Sequence, residues 1–219
     1  MDAHPTAAQP RSERGTVGAQ LGTGPSRSST AEGRPVLVRG PGLGTSSEIP
    51  ELTRLLPDAV TLTGDAATVA AVLDALDGAR LAHVAAHGTF RADSPLFSAL
   101  LLADGPLTVY DLQTLPRVPE LVILAACDSG LSLVCPGDEL LGFSAALLTM
   151  GTRALIAAML PVPDAPAAEL MTTVHRGLAA GASPAVALAA ARRELVAGGG
   201  PAERVAAAGF VCLGAGLHT

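Results

Sequence analysis

The feature that most constrains the fold of this chain is an unbroken apolar run, LVILAA, at residues 121–126. A strand with one exposed face alternates apolar and polar residues, whereas an unbroken apolar run is typical of a strand covered on both faces. The runs at residues 80–86 and 153–160 are also largely apolar. Segments with helical spacing, such as residues 66–77, separate these runs. The alternation predicts a three-layer α/β domain in which helices flank a mostly parallel central sheet.

Composition divides the chain into a tail and a domain. Residues 1–34 are rich in Gly, Ser, Thr, Ala, Pro and Arg and hold almost no large apolar side chains, so we expect a disordered tail. Residues 35–219 carry the strand and helix patterns and are expected to form one domain. Because the whole chain has only four Phe, one Tyr and no Trp, the core must be built from Ala, Leu and Val.

Charge and cysteine usage exclude several classes of function. A net charge of −6 without a cluster of Arg argues against a nucleic-acid surface. The N-terminus lacks the apolar stretch of a secretory signal, and the longest apolar runs are too short to span a bilayer. The three cysteines have no zinc-like spacing. We therefore expect a cytoplasmic protein with reduced thiols and without a membrane segment, metal or cofactor.

Local signals predict where several elements begin and turn. Asp65 is expected to cap a helix over residues 66–77. Asp104-Gly105 lies between apolar segments, as in a β-hairpin, and Thr108 has an acidic residue three positions later, which predicts the capped start of a short helix. The loop GPGLGTSSE, residues 40–48, lacks the spacing of a phosphate-binding motif, so we interpret it as a plain strand-to-helix loop.

Two strand ends carry residues with catalytic potential. His87 follows one apolar run and precedes Gly88, and Cys127 follows another. Neighbouring parallel strands end at the same edge of a sheet, where α/β folds place their sites. An imidazole can take the proton of a thiol, stabilise the thiolate and later protonate a leaving amine. The backbone N–H groups of Gly88 and Cys127 are then candidates for an oxyanion hole, and a buried structural cysteine is the alternative reading.

The motifs around these residues resemble the CHAT family, whose caspase-like domains usually occur with tetratricopeptide repeats. The resemblance is carried by three segments, AHVAAHGTFRADSPLFSALLLADGPL, LVILAACDSG and PGDELLGFSAALLTMGTRALIAAMLPVPD, and by the closing GFVCLGAG. The resemblance as a whole covers roughly residues 35–216. The segments supply the family's His-x-x-x-His-Gly, Ala-Cys-x-x-Gly and Gly-Asp-Glu-Leu patterns.

The resemblance implies a caspase-haemoglobinase-like fold and a cysteine peptidase with a His–Cys dyad. His87 would be the general base and acid, and Cys127 the nucleophile. The residue before Ala126 is Ala125 rather than the Gln of the caspase signature, so a preference for cleavage after Asp is not implied. CHAT domains usually have further strands before the one that corresponds to residues 35–39 of this chain. The domain is therefore expected to be shortened on its N-terminal side. Any tetratricopeptide-repeat partner would be a separate chain.

Other polar residues near the two motifs have structural and functional interpretations. Asp128 could orient His87, line a substrate pocket, or simply follow the strand in a turn. Asp93 and Ser94 follow the His87 loop and could contact substrate. His83 is expected to be a buried orienting or packing residue, because two strand residues four positions apart lie about 13 Å apart and do not share a metal ion.

The remaining candidates are assigned plainer roles. Asp138 and Glu139 either begin a helix, where negative charge is favoured, or contact the active-site loop. Cys135 is interpreted as a bystander of the nucleophile, with a redox disulfide to Cys127 as the alternative. His175 and His218 are expected at the surface.

Three functions compete for this pattern. The first is a cysteine endopeptidase that cleaves a protein partner. The second is a non-catalytic CHAT-like interaction or regulatory module, a truncated relic of the peptidase. The third is an α/β-hydrolase with a cysteine nucleophile, which is disfavoured because its histidine follows the nucleophile in sequence, whereas His87 precedes Cys127.

Overall fold

The structure of the protein is a computed structural model. It describes residue 1 and residues 33–43, 47–89, 94–125 and 144–214. The strands are β1 (Pro35–Arg39), β2 (Val60–Thr63), β3 (Leu81–Ala85), β4 (Gly88–Thr89), β5 (Ala99–Leu102), β6 (Gly105–Thr108), β7 (Leu121–Leu124), β8 (Ala154–Ala158) and β9 (Phe210–Gly214). The helices are α1 (Ile49–Leu55), α2 (Val69–Leu76), α3 (Val109–Leu112), α4 (helical at 144–150), α5 (Asp164–Ala179), α6 (Pro184–Gly198) and α7 (Pro201–Gly209).

The central sheet has six strands in the order β2-β1-β3-β7-β8-β9. All its neighbouring pairs are parallel except β8 with β9, which is antiparallel. A second, small antiparallel sheet is formed by β4, β5 and β6. The predicted α/β architecture with a mostly parallel sheet is therefore confirmed. The expected shortening on the N-terminal side stays a prediction, although β1 lies between two strands rather than at an edge.

The two faces of the central sheet bury separate apolar clusters, because successive strand residues point to opposite faces. Leu37, Leu81 and Ile123 pack with α1, α5, α6 and α7 on one face. Val38, Val84 and Leu124 pack with α2, α3, α4 and the β5–β6 hairpin on the other. This double coverage explains why the strand runs are apolar at nearly every position. As expected, the core contains few Phe, Tyr or Trp side chains, and Phe210 is the one fully buried residue of these three types within the described segments.

The predicted hairpin is present and is attached to a helix. β5 and β6 pair antiparallel around Asp104, and Asp104 Oδ1 accepts a hydrogen bond of 2.8 Å from the backbone N–H of Val69 at the start of α2. The carboxylate thus satisfies an N–H group that has no partner within the helix. The predicted capping box of α3, between Thr108 and Asp111, is also present.

One expectation about a helix start is wrong, and one helix was not expected. Asp65 does not cap the second helix; it lies in a 3-10 turn, Gly64–Ala66, and Thr68 is the N-cap, with its hydroxyl accepting from the N–H of Ala71. Threonine can act as the N-cap because its side-chain oxygen reaches the third N–H group of the helix. The sequence-based expectations also omit α7, whose start shows Pro201 in the first turn and Glu203 accepting from the N–H of Gly200. No helix in the described part of the chain is long and apolar enough to cross a membrane.

Candidate active site

His87 lies at the junction between the two sheets. Strand β3 is buried along its whole length, Ala86 after it is also buried, and His87 is the first half-buried residue. The chain then enters β4 at Gly88, and the C=O of His87 accepts a hydrogen bond of 2.8 Å from the N–H of Leu101 in β5. A buried strand and a hairpin therefore fix the backbone of His87 from two sides.

Strand β7, which leads to Cys127, lies directly beside β3. The two strands are parallel, and their register joins each residue of β3 to the residue 40 positions later, as Leu81 joins Leu121. The pairing extends past the strand end, where the N–H of Ala125 donates to the C=O of Val84 at 3.0 Å. The strand that precedes Cys127 is therefore the parallel neighbour of the strand that precedes His87. Cys127 and Asp128 lie outside the described residues.

Gly88 presents its backbone N–H away from the hairpin. In an antiparallel ladder, hydrogen-bonded and non-hydrogen-bonded pairs alternate. Gly88 is opposite Leu100, and the ladder bond joins the neighbouring residues, Leu101 N–H to His87 C=O. Gly88 therefore belongs to a non-hydrogen-bonded pair, and its N–H points to the side opposite β5. This orientation is compatible with the expected role of the Gly88 N–H in an oxyanion hole, which stays a prediction.

The residues after β4 are only partly described. The C=O of Ser94, which is half-buried, accepts a hydrogen bond from the N–H of Phe97 and starts the 3-10 turn Pro95–Phe97. Asp93 lies outside the described residues. Substrate contact by Asp93 or Ser94 stays a prediction.

Gly42, in the loop that follows β1, lies close to the imidazole of His87. Gly42 has a φ of 75°, and a Cβ atom at this position would lie 3.3 Å from Nε2 and 3.5 Å from Cδ2 of His87. Glycine is suited to this position both because of the positive φ and because the ring is close. Gly42 therefore lies along the Nε2 edge of the imidazole, a proximity that the interpretation of residues 40–48 as a plain strand-to-helix loop did not include.

A buried chain of polar side chains lies on the same face of the sheet as α1 and α5. Nε2 of His83 is 2.8 Å from Oε1 of Glu48, and Nδ1 of His83 is 3.1 Å from Nε2 of His175. The three residues are 0%, 8% and 1% exposed for His83, Glu48 and His175, respectively. We call these residues the Glu48–His83–His175 chain. His83 is buried as expected, but the expectation that His175 lies at the surface is wrong.

The burial of His175 is hard to predict from the sequence, because the helix α5 is rich in small and polar residues. The side chain nevertheless shares a face with Met171 and packs against the ring of His83, with ring centroids 5.0 Å apart. A histidine four residues after a buried methionine was the available signal, because positions i and i+4 lie on one face of a helix.

The Glu48–His83–His175 chain has a defined charge arrangement. Burial opposes ionisation of Glu48, but the hydrogen bond and charge of His83, helped by Arg39, outweigh burial and hold the pKa of Glu48 below its usual range. Burial, together with the charge of His83, holds the pKa of His175 well below its usual range. Glu48 is thus an acceptor for the N–H at Nε2 of His83, and His175 is neutral at neutral pH.

The described residues offer no metal centre. Within residues 33–43, 47–89, 94–125 and 144–214, no group of three or more His, Cys, Asp or Glu side chains has an arrangement suited to a metal ion. Both ring nitrogens of His83 already face hydrogen-bond partners.

Comparison with known proteins agrees with the fold and the motifs. The model of the CHAT domain matches residues 3–215. A comparison with curated proteins gives no significant match.

Solved structures similar to the chain are cysteine proteinases. The crystal structure of the Arg-specific cysteine proteinase gingipain R superposes with a TM-score of 0.61 at 13% identity, covering 87% of this chain and 48% of that one. The complex of pro- and mature domains of this proteinase from Porphyromonas gingivalis gives a TM-score of 0.56 at 13% identity, covering 87% and 49%. The chain spans about half the length of these proteins and shares their caspase-haemoglobinase fold.

Proposed function

This chain belongs to the CHAT domain family, and we propose that it is a cysteine endopeptidase that cleaves a protein partner with His87 as general base and Cys127 as nucleophile. The observation that carries the proposal is the register of β3 and β7. These strands are adjacent and parallel with an offset of 40 residues, and Cys127 follows His87 by the same 40 residues. Continuing this register would set the two residues side by side at the strand ends.

The proposed reaction follows from the chemistry of the pair. His87 takes the proton from the thiol of Cys127, and the thiolate attacks the carbonyl carbon of the scissile peptide bond. The N–H groups of Gly88 and Cys127 donate to the oxyanion that forms. His87 then gives its proton to the leaving amine, and water, deprotonated by His87, hydrolyses the acyl-enzyme. The outward orientation of the Gly88 N–H supports its part in this scheme.

The proposed peptidase acts on a protein substrate in the cytoplasm. A tetratricopeptide-repeat partner is proposed as the regulator, as in the family that the motifs resemble. Asp128, Asp93 and Ser94 are proposed to orient His87 or to line the substrate groove. The arginine specificity named for gingipain R belongs to that proteinase, and a likeness at 13% identity supports the fold alone.

The decisive test is cleavage by variants of the full chain. The protein would be incubated under reducing conditions with a denatured proteome and, separately, with a protein encoded beside it, and new N-termini would be read by mass spectrometry. Cys127→Ala and His87→Ala should each abolish cleavage, and the double variant should lose no more, because nucleophile and base act as a unit. Cys135→Ala is the matched control and should retain most activity. Cleavage that survives Cys127→Ala would refute the proposal.

A second candidate function is a non-catalytic interaction module, and an exposed apolar patch favours it. Phe97 and Tyr110 are 60% and 62% exposed, and Leu96 and Leu101 lie in the same hairpin region. The segments are adjacent, since the N–H of Val109 donates to the C=O of Ser98. Exposed aromatic side chains are typical of protein–protein contacts. A partner that binds tightly and is never cut by the wild-type protein would favour this function over the peptidase.

A further inference from the structure

We propose that the outer edge of β2 is a docking surface for a second copy of this chain, so that the central sheets of two copies join into one. The two β2 strands run antiparallel in this pair, about a two-fold axis that passes beside Leu62. Such a contact uses the same surface on both copies. The inference concerns assembly and does not depend on the proposed peptidase activity.

Strand β2 is the last strand on its side of the described sheet. Among the described residues it pairs with β1 alone, with Val36 beside Val60 and Arg39 beside Thr63. All four of its residues, VTLT, are at least partly exposed. Apart from its short length, β2 lacks the features that protect a strand edge, because its residues include no charged side chain and no proline, and its register with β1 has no bulge.

The backbone groups of Thr61 and Thr63 face the outer side of β2. The N–H of Gly40 donates to the C=O of Ala85 in β3, so the even-numbered residues of β1 face β3 and Leu37 faces β2. In a parallel pair, a residue bonds to the neighbours of the residue beside it, and the residue beside Leu37 is Thr61. The even-numbered residues of β2 therefore bond to β1, and Thr61 and Thr63 direct their N–H and C=O groups outward.

These outward groups fix the register of the proposed pair. In an antiparallel ladder, two residues that face each other exchange both backbone hydrogen bonds. Thr61 therefore pairs with Thr63 of the second copy, and Leu62 lies opposite Leu62 of the second copy at the axis. A register centred on Thr61 would instead set Thr63 opposite Ala59, whose N–H already donates to the C=O of Leu56.

The side chains of β2 suit a second copy on both faces of the sheet. The hydroxyl oxygen of Thr61 is buried and makes no hydrogen bond with a described residue. Thr63 of the second copy lies opposite it in the proposed register, and threonines in this position form cross-strand hydrogen bonds. On the other face, Val60 and Leu62 are half-buried at the border of an apolar cluster. The contact between the two Leu62 side chains removes apolar surface from water.

The charges at the two ends of β2 are complementary in the antiparallel pair. Before the strand, the C=O of Asp58 accepts a hydrogen bond of 2.7 Å from Nε of Arg34, and its carboxylate lies 3.7 Å from Nη2 of Arg80. This group of three side chains is positive overall. After the strand, Asp65 is exposed, and in the proposed register it lies opposite Ala59 of the second copy. Opposite charges therefore meet at both ends of the pair, which favours this orientation.

The test measures the oligomeric state of the full chain and the protection of β2, under reducing conditions. Sedimentation velocity is recorded over a wide range of protein concentration. Hydrogen exchange of the peptide that contains β2 is followed by mass spectrometry at the lowest and the highest concentration. The proposal predicts a monomer–dimer equilibrium and slower exchange of β2 where the dimer dominates.

Two variants and a control locate the contact. Thr61→Pro removes an outward N–H and keeps the bonds to β1, because proline is tolerated at a strand edge. It should weaken the dimer at least about tenfold, since each copy loses a backbone donor. Asp65→Arg should also weaken the dimer, and high salt should reduce its effect. Glu194→Arg makes the same charge change at an exposed position of α6, which packs near β9 at the other end of the sheet, and should leave the dimer unchanged. Urea unfolding is measured for each variant.

A protein that is monomeric at every concentration overturns the proposal. If β2 is nevertheless protected in that monomer, its edge is covered by a segment of the same chain, and residues 2–32 are the first to test. A dimer that Thr61→Pro and Asp65→Arg leave intact also overturns the proposal, because another surface then joins the copies. Should Thr61→Pro fail to fold, the comparison of Asp65→Arg with Glu194→Arg decides.

Discussion

Replacing Gly40 with alanine should destabilise the junction that carries His87. Gly40 is buried at the end of β1, and a Cβ atom there would lie 2.6 Å from the C=O oxygen of Leu101 and 2.9 Å from Cβ of Ala86. Both distances are below 3.0 Å, a limit that real Cβ atoms respect. The atoms in the way are backbone and a short side chain, so neither can rotate aside, and β5 or the end of β3 must shift.

The expected cost is that of overpacking a core, about 1–3 kcal/mol. Because the N–H of Leu101 donates to the C=O of His87, the same shift should move the base, and labelling of Cys127 should fall with stability. The assay is urea unfolding followed by circular dichroism, with a constant m-value required for the comparison. Gly198→Ala is the matched control, since a Cβ there meets nothing within 4 Å, and in a helix it should stabilise by up to about 1 kcal/mol. Equal stability of Gly40→Ala and wild type would refute the steric argument.

Three further predictions concern the core and the ionisable groups. His175→Gln should reduce the loss of stability on acidification. Because the pKa of His175 is lowered in the folded protein, its stabilising contribution is complete above the unfolded value of 6.5 and is lost as the pH falls below that value. The free energy of unfolding of the wild type should therefore fall by up to about 1.4 kcal/mol more per pH unit than that of the variant. Parallel urea-derived curves for variant and wild type between pH 7 and pH 5 would contradict this. Ile123→Ala, at a fully buried site in β7, should cost about 2–5 kcal/mol in urea unfolding, against less than about 0.5 kcal/mol for the exposed Val186→Ala, and similar costs would contradict the packing. Cys212 should react slowly with iodoacetamide at pH 7.5, because burial raises its pKa against the opposing charge of Arg192, and rapid labelling of Cys212 would disprove its protection.

Much of the fold follows directly from the sequence because its signals are local. Runs such as residues 121–126 are apolar at every position, as expected for a strand covered on both faces, and in the structure Ile123 and Leu124 of β7 pack into the apolar clusters on opposite faces of the sheet. The hairpin at Asp104 and the capping box at Thr108 depend on residues at most three positions apart. The strand ends that carry His87 and precede Cys127 were predictable for the same reason.

The features that escaped prediction depend on contacts between distant residues. Glu48 and His83 are 35 residues apart, and His83 and His175 are 92 apart, so neither contact leaves a periodic pattern. The closeness of Gly42 to the imidazole of His87 also joins residues that are far apart in the sequence. The start of α2 was misplaced because Asp65 and Thr68 are both good N-caps. In the structure Thr68 caps the helix, and Asp104 of the distant hairpin accepts from its first N–H.

The most direct test of the central claim is the pKa of the Cys127 thiol, read from the pH dependence of its alkylation in the full reduced chain. With His87 as its base, Cys127 should react at neutral pH with a midpoint below about 8.5, the value of an unperturbed cysteine. His87→Ala should move that midpoint upward and slow labelling at pH 7, with Cys212 as the internal reference. Identical profiles for wild type and His87→Ala would contradict the claim that these two residues form a catalytic pair.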